Sequence, residues 1–322
     1  MQILMQKSKK GGVGKSHYTR ELGQALAALG CSVVIIDCSE QANDDILENR
    51  QREFDETLKE CIIDGIPFID AARQVKKNLW LIAGSRDHED INNHIRKERY
   101  PDLIKDMVED FRSSLSPAIP FNERFSWWSS EKVPLGIFHS EPTTDEEFDT
   151  PPSFVDFVLV DSDASTEDDL TLVLWRAIDG ILVPFEPSEL DWQSYHQFKQ
   201  DLEKRFQRHP SQMPPIVGIL PNKVLHTKDN LIPKTYLTAM YRDAEEHVFR
   251  PVHWSKIFGE CLNQHIGALD HPSAATDRTV RELCAIALEI AGYEGDLIGL
   301  KFCEKCKEAL QDAMKEQEEV VS

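Results

Sequence analysis

Glycines and lysines are concentrated in residues 8 to 18, which have the sequence SKKGGVGKSHY. In a phosphate-binding loop, glycines let backbone N–H groups close around phosphate oxygens, a lysine reaches the β- and γ-phosphates, and the next hydroxyl binds Mg²⁺. Lys15 and Ser16 occupy the last two positions, so the stretch predicts a site for a nucleoside triphosphate and magnesium. The predicted nucleotide contacts in it are Lys10, Gly11, Gly12, Val13, Gly14, Lys15, Ser16 and His17.

The segments on either side of this loop suit that chemistry. The apolar run QILMQ precedes it, and HYTRELGQALAALG follows it with apolar residues at helical spacing and Gly30 as the expected C-cap. The loop therefore joins a strand to a helix, which is the context that a phosphate-binding loop requires.

Further apolar runs alternate with helical patterns along the chain. They are CSVVIIDCS ending near Asp37, and the runs at 78–84, 154–163, 179–187 and 215–223. Strands that are apolar throughout and separated by helices indicate a parallel sheet covered on both faces. The predicted fold is α/β, a doubly wound and mostly parallel sheet.

Composition limits the protein's role. The chain has 322 residues, 41% of them hydrophobic, and a formal net charge of −20, which argues against binding nucleic acid by bulk attraction. Any DNA contact would need a local basic patch. No apolar run is long enough for a membrane span, and the segment before the loop is too short for a signal peptide, so we expect a cytoplasmic protein. Seven scattered cysteines favour buried thiols over disulfides.

The stretch KGGVGKS at 10–16 resembles the deviant Walker A motif of the ParA/MinD family of P-loop ATPases. In that family the first lysine, here Lys10, reaches across a homodimer interface to the partner's nucleotide. The resemblance continues in the Walker A′-like segment 33–45, the Walker B-like segment 154–165, and the segments 179–191 and 217–223. It implies ATP and Mg²⁺ as cofactors.

The resemblance also implies roles for single residues. Lys10, Lys15 and Asp37 would be catalytic, with Asp37 orienting and deprotonating the attacking water beside Mg²⁺. Ser16 and Asp161 would complete the metal site with Asp37. Asn222 would hydrogen-bond the adenine edge, although a simple turn residue is the competing interpretation.

Two segments depart from the family pattern. The second aspartate of Walker A′ is Ser39 here, and the following proline is Glu40. After Asp161 the family has a glycine-containing switch that senses the γ-phosphate, whereas this chain has Ser162, Asp163, Ala164 and Ser165. We therefore expect slow or differently regulated hydrolysis.

The resemblance to short ParA proteins implies an ATPase that dimerises with ATP sandwiched between subunits and binds DNA non-specifically. It would be nucleoid-associated and would partition a plasmid, a chromosome region or other cargo, with an adaptor or centromere-binding protein stimulating hydrolysis. Because only nine residues precede Lys10 in this sequence, we expect the short type of ParA protein, without a helix-turn-helix domain. Candidate DNA contacts are Arg250, Lys256, Arg278 and Arg281, each of which alone would be an ordinary solvated charge.

Two alternatives remain. A MinD-like positioning ATPase would bind a membrane through a basic C-terminal helix, but residues 300–322 hold four lysines against six acidic residues. Cys303 and Cys306 form a CxxC pair that could bridge a metal between subunits, as in related dimeric ATPases for metal clusters or protein targeting. A helix that happens to carry two cysteines is the interpretation we favour.

The predicted domains are a nucleotide-binding domain at 1–292, with an insertion at about 116–153, and a helical tail at 293–322. The insertion contains prolines, an acidic stretch, and Trp127 and Trp128. We favour the interpretation that the insertion is a partly ordered segment on the protein surface. The alternative is a partner-docking element built on two exposed tryptophans.

Overall fold

The computed structural model describes residues 1–39, 54–141, 144–165, 167–224, 231–264 and 266–298. Its strands are β1 (Gln2–Gln6), β2 (Val33–Cys38), β3 (Arg73–Lys76), β4 (Leu79–Ile82), β5 (Lys132–Val133), β6 (Phe157–Ser162), β7 (Gly180–Phe185), β8 (Ile216–Pro221) and β9 (Asp296–Leu297). The α-helices in these residues are α1 (Lys15–Leu29), α2 (Leu58–Ile63), α3 (Phe68–Ala71), α4 (His88–Glu98), α5 (Leu103–Ser114), α6 (Phe121–Arg124), α7 (Asp145–Phe148), α8 (Asp169–Leu174), α9 (Glu189–Phe206), α10 (Leu231–Asp243), α11 (Ile257–Gln264) and α12 (Arg278–Ile290).

In the described part of the chain, the central sheet has seven strands in the order β3-β4-β2-β6-β1-β7-β8. All neighbouring strands in it are parallel except β3, which runs antiparallel to β4. Every residue of β2, β6 and β7 is buried, as expected for strands covered on both faces. The predicted doubly wound α/β fold is confirmed.

The two faces of the sheet carry separate apolar cores. On one face Leu22 and Leu26 of α1 pack with Ile286 of α12, and on the other Leu170 of α8 packs with Phe198 of α9. The helices lie against the sheet because their apolar residues recur at helical spacing. This packing fixes the carboxyl end of β1, where the glycine-rich loop begins.

Gly30 ends α1 as predicted. Its φ is 101°, and its N–H donates to the Ala27 carbonyl at 2.9 Å. A Cβ at residue 30 would also lie 2.8 Å from the Phe125 ring, so both backbone conformation and space require glycine there.

The expectation that Trp127 and Trp128 could be exposed is wrong. Both are half-buried and pack on the core beneath α1 and α12. The Trp127 ring lies 5.0 Å from Phe125, and the Trp128 ring lies 6.0 Å from Tyr293. Large aromatic side chains gain most from burial, which explains why this segment folds onto the domain instead of presenting them to solvent.

The predicted boundary after residue 292 stays a prediction. Next to it, Tyr293 and Leu297 are buried, and β9 pairs in parallel with β5 of the predicted insertion. Cys303 and Cys306 lie outside the described residues. The five cysteines inside them, Cys31, Cys38, Cys61, Cys261 and Cys284, are free and buried, as expected. None of the described helices has the length and apolar character needed to cross a bilayer.

Candidate functional site

The glycine-rich loop turns from β1 into α1 through left-handed backbone conformations. Gly12 has a φ of 74° and Gly14 a φ of 97°, which side-chain-bearing residues rarely adopt. A Cβ at Gly14 would also lie 2.7 Å from the Asn222 amide nitrogen. No side chain caps the first turn of α1, so its N–H groups can receive an anion.

Lys15 lies beneath this loop. Its side chain is buried, and its ammonium donates to the Lys10 carbonyl at 3.3 Å. Burial lowers the pKa of Lys15, while the carboxylates of Asp161 and Asp163 oppose that shift. The Lys15 ammonium is therefore a poorly hydrated positive charge close to Asp161 and Asp163. Such a charge is suited to bind phosphate oxygens.

Lys10 is engaged within its own chain. Its ammonium donates to the buried carboxylate of Asp191 at the start of α9, and it lies 4.0 Å from Glu186. Glu186 is also 3.6 Å from Lys223, whose ammonium donates to the Gly12 carbonyl at 2.6 Å. Lys223 was not predicted as a site residue, although it directly follows Asn222 in the segment 217–223.

Asp37 and Asp161 meet at the carboxyl end of the sheet. They are register partners on β2 and β6, so their adjacency follows from parallel pairing. The Ser16 hydroxyl lies near Asp161, where it favours the ionised carboxylate and lowers the pKa, while Asp161 Oδ1 is buried with no hydrogen-bond partner in the described residues. Burial and the neighbouring Asp37 raise the pKa of Asp161 to about 7.

Asp37 is held in one orientation by the residue that departs from the family pattern. Its Oδ1 accepts hydrogen bonds from the Ser39 N–H at 2.8 Å and from the Ser39 hydroxyl at 2.6 Å. A Cβ at Gly84 would lie 3.1 Å from Asp37 Oδ2, so glycine keeps the space beside that oxygen clear of side-chain atoms. Sequence reasoning missed Gly84.

These residues fit a magnesium ion. Mg²⁺ prefers oxygen ligands and is usually bound by one or two carboxylates together with substrate phosphates. Ser16 and Asp161 offer such oxygens beside Asp37, and the orphaned Asp161 oxygen is a buried acceptor that a cation would satisfy. Within the residues described, no group of three or more His, Cys, Asp or Glu side chains could hold a metal by itself. These residues therefore allow a site in which Mg²⁺ is bound jointly by protein oxygens and by the phosphates of the nucleotide.

The raised pKa of Asp161 implies that the stability of the folded protein depends on pH. The folded protein keeps a proton that the unfolded chain releases near the ordinary value of 3.8, so this carboxyl destabilises the fold increasingly as pH rises from about 4 to above about 7. We expect Asp161→Asn to raise the free energy of unfolding of the nucleotide-free protein by about 1–3 kcal/mol at about pH 8, and by much less at about pH 4. Urea titrations of both proteins at both pH values measure this gain; a gain independent of pH would contradict it.

Asn222 and His17 lie against the loop. Asn222 is buried, donates to the Val13 carbonyl at 2.8 Å and accepts from the Lys223 N–H at 2.7 Å. It thus braces the loop, and its contact with adenine stays a prediction. The His17 ring lies 4.2 Å from Phe258, and burial lowers the pKa of His17 to about 4.

The four basic residues predicted to contact DNA are not all together. Arg278 and Arg281 lie at the start of α12, whereas Arg250 lies 3.8 Å from Glu289 near its other end. Along the helix axis Glu289 is about 16 Å from Arg278 and about 12 Å from Arg281. Lys256 precedes α11. The structure therefore separates Arg250 from the arginine pair.

The guanidinium groups of Arg278 and Arg281 form hydrogen bonds within the chain. Arg278 donates to Glu282 at 2.7 Å, and Arg281 donates to a backbone carbonyl at 2.7 Å. Lys256 is 82% exposed and lies 3.5 Å from Glu260. Lys256 is thus the most accessible of the cations near the start of α11.

Comparison with protein families gives one match along most of the chain. A model described as the CobQ/CobB/MinD/ParA nucleotide binding domain matches residues 4–268. The matched span contains the glycine-rich loop, Asp37, Asp161 and Asn222. No curated protein matches the chain.

Three solved structures show the same fold. McdA of Cyanothece, an aspartate-to-alanine variant in complex with ATP, has a TM-score of 0.65 at 17% identity, covering 91% of this chain and 97% of that one. The cell division ATPase MinD of Pyrococcus furiosus has a TM-score of 0.61 at 16% identity, with 90% and 98% covered. A protein of Borrelia burgdorferi B31 described as a candidate plasmid partition protein, bound to AMPPNP, has a TM-score of 0.55 at 18% identity, with 90% and 97% covered. At these identities the likeness establishes the fold alone.

Proposed function

Because this chain belongs to the CobQ/CobB/MinD/ParA nucleotide-binding domain family, we propose that it hydrolyses ATP with Mg²⁺ and dimerises when ATP is bound. The observation that carries this proposal is the meeting of Lys15, Ser16 and the Asp37–Asp161 pair at one end of the sheet. These groups supply what phosphoryl transfer to water needs: cations for the phosphates, oxygen ligands for a metal, and a fixed carboxylate.

Each side chain has a distinct task in this proposal. Lys15 and the N–H groups of the loop bind the phosphates, because they combine a positive charge with the start of α1. Ser16 and Asp161 would hold Mg²⁺, which when bound neutralises charge that develops on the phosphates. Asp37 orients the attacking water and accepts its proton at Oδ2, since Oδ1 is already bonded to Ser39.

Lys10 links dimerisation to the nucleotide. In this chain its ammonium is paired with Asp191, so reaching a partner's phosphates requires that ion pair to break. A phosphate group carries more negative charge than the carboxylate and can replace it as the ligand of the ammonium. ATP would therefore favour the dimer, and loss of the γ-phosphate would return Lys10 to Asp191.

The test of this proposal combines turnover with oligomeric state. We expect the purified protein to release phosphate from ATP only with Mg²⁺ present, and to become a dimer with a non-hydrolysable ATP analogue but not with ADP. Phosphate-release assays and light scattering after size-exclusion chromatography measure the two properties. A protein that neither bound nor hydrolysed ATP under these conditions would refute the proposal.

We further propose that the dimer binds DNA non-specifically and partitions DNA or other cargo with a partner that stimulates hydrolysis. The likeness to a described partition protein supports this role, as does the exposed Lys256, which directly follows Ser255, whose hydroxyl donates to Asp277 at the N-cap of α12. Dimerisation would double a patch that is weak in one subunit, which matters because the net charge of −20 opposes DNA.

The DNA proposal predicts a local charge effect. We expect Lys256→Glu to weaken ATP-dependent binding of arbitrary duplex DNA about 3- to 10-fold at low salt, because one phosphate contact per subunit becomes repulsive. Fluorescence anisotropy with labelled duplex measures the affinity. Lys97→Glu, at an exposed position of α4, is the matched control with the same change in net charge. Equal weakening by both variants, or no DNA binding by the ATP-bound wild type, would count against this patch.

A further inference from the structure

Lys7, directly after β1, is a lysine that the proposed reaction does not use. Its side chain is fully buried, with 0% exposure. Lysine is seldom fully buried, because removing an ammonium from water is unfavourable unless nearby groups compensate. Burial lowers the pKa of Lys7 to about 8. A charge retained at such a position needs a structural or functional reason.

The contacts of Lys7 join the first strand to the connection between β6 and α8. Its ammonium donates to the Asp163 carbonyl at 2.8 Å and to the Thr171 hydroxyl at 3.3 Å. The carboxylate of Asp168 favours the charged form of Lys7, and Lys15 disfavours it. Asp168 in turn caps α8, because its Oδ1 accepts from the Thr171 N–H at 2.7 Å.

By the resemblance described above, this connection stands where the family has a γ-phosphate-sensing switch, and its sequence departs from that pattern. It begins directly after the strand that carries Asp161, and the residues at 162–165 include no glycine. A connection without glycine has fewer backbone conformations available to follow the phosphate. The Lys7 ammonium instead supplies a fixed side-chain contact between the connection and the start of the phosphate loop.

The far end of the connection is tied to other helices. The Leu170 N–H of α8 donates to Asn92 of α4 at 2.9 Å, and Asp169 forms an ion pair with Arg96 at 2.7 Å. A displacement of the connection would therefore move α8 against α4.

We propose that Lys7 is a positioning residue: its ammonium holds the connection between β6 and α8 against the phosphate loop in the arrangement that hydrolysis requires. It thereby transmits the state of the phosphates to α8. This inference rests on the proposed ATPase activity. Lys7 acts through Asp163 and Thr171 and not on the nucleotide. It therefore affects the rate of ATP turnover and the response of α8 to ATP, but not the affinity for ATP.

The first test is Lys7→Met, which keeps the length of the side chain and removes its charge and donors. We expect kcat for ATP to fall about 10- to 100-fold, since small displacements of a reacting site have effects of that size. The dissociation constant for ATP, measured by isothermal titration calorimetry, should stay within about twofold of wild type. Hydrogen exchange of α8 amides should slow on ATP addition in wild type and not in the variant.

The second test uses the buried acceptor and does not depend on Lys7→Met folding. Thr171→Val removes the hydroxyl with little change of shape, and Thr171→Ser keeps it. We expect the valine variant to lower kcat and the ATP response of α8, and the serine variant to restore both. If Thr171 acted through packing alone, the serine variant, which loses a buried methyl group, would be more defective than the valine variant, which keeps the shape of the side chain.

The outcomes separate the two proposals. Wild-type protein that does not bind ATP would refute the proposed function itself. With ATP binding intact, an unchanged kcat and unchanged α8 exchange in both Lys7→Met and Thr171→Val would overturn the role of Lys7. Loss of ATP affinity in a folded Lys7→Met protein would show direct action on the nucleotide and would also overturn it.

Discussion

Lys15→Ala abolishes ATP binding, with an expected loss of affinity of at least about 100-fold. The reason is that Lys15 brings a buried positive charge to the phosphate loop, and charge-assisted contacts to phosphate are among the strongest hydrogen bonds in proteins. The loop should keep its turn after loss of the contact with the Lys10 carbonyl, because Gly12 and Gly14 adopt the positive φ angles that the turn requires. Calorimetric titration with ATP and Mg²⁺ measures the affinity.

Two lysines of the same loop are the controls for Lys15. Lys9→Ala removes an equal charge, but Lys9 is paired with Asp201 on α9, so ATP affinity should stay within about twofold. Lys10→Ala should leave ATP binding by the monomer largely intact and should impair ATP-dependent dimerisation or hydrolysis. A Lys10→Ala protein that dimerised and turned over like wild type would contradict the role assigned to the deviant lysine.

Asp37→Ala traps the ATP-bound state. We expect kcat to fall by about 100-fold or more with little change in ATP affinity, because a positioned proton acceptor contributes about that much to the chemical step. Magnesium binding should persist, since removing the Asp37 charge lowers the pKa of the neighbouring Asp161 and favours its ionised form. Single-turnover phosphate release and the lifetime of the ATP-bound dimer measure the effect.

The matched control for Asp37 is Asp64→Ala, which removes an exposed carboxylate at the end of α2 and should leave turnover unchanged. Thermal unfolding checks that both variants are folded. Fast hydrolysis by Asp37→Ala would move the proton acceptor elsewhere, with Asp163 as the next candidate because its charge reaches both Lys7 and Lys15.

Sequence patterns predicted the elements that depend on nearby residues. The strand–loop–helix unit around Lys15 and the C-cap at Gly30 follow from apolar periodicity and glycine conformation, both of which are local. The fully apolar strands likewise predicted a parallel sheet covered on both faces. The alternative that Trp127 and Trp128 are exposed, which was not the favoured one, was wrong, because the composition of a segment does not reveal which distant side chains it packs against.

The sequence alone predicted the phosphate loop, the six parallel strands of the central sheet in their order along the chain, and the placement of Asp37 and Asp161 at strand ends. It did not predict β3, β5 or β9. Only the tertiary structure set the register that makes the two aspartates partners, the ion pair of Lys10 with Asp191, and the burial of Lys7 against Asp163 and Thr171. Each of these contacts joins residues more than a hundred positions apart in the chain. Local periodicity carries no information on such pairs, which form only when the β6, α8 and α9 segments pack beside the phosphate loop.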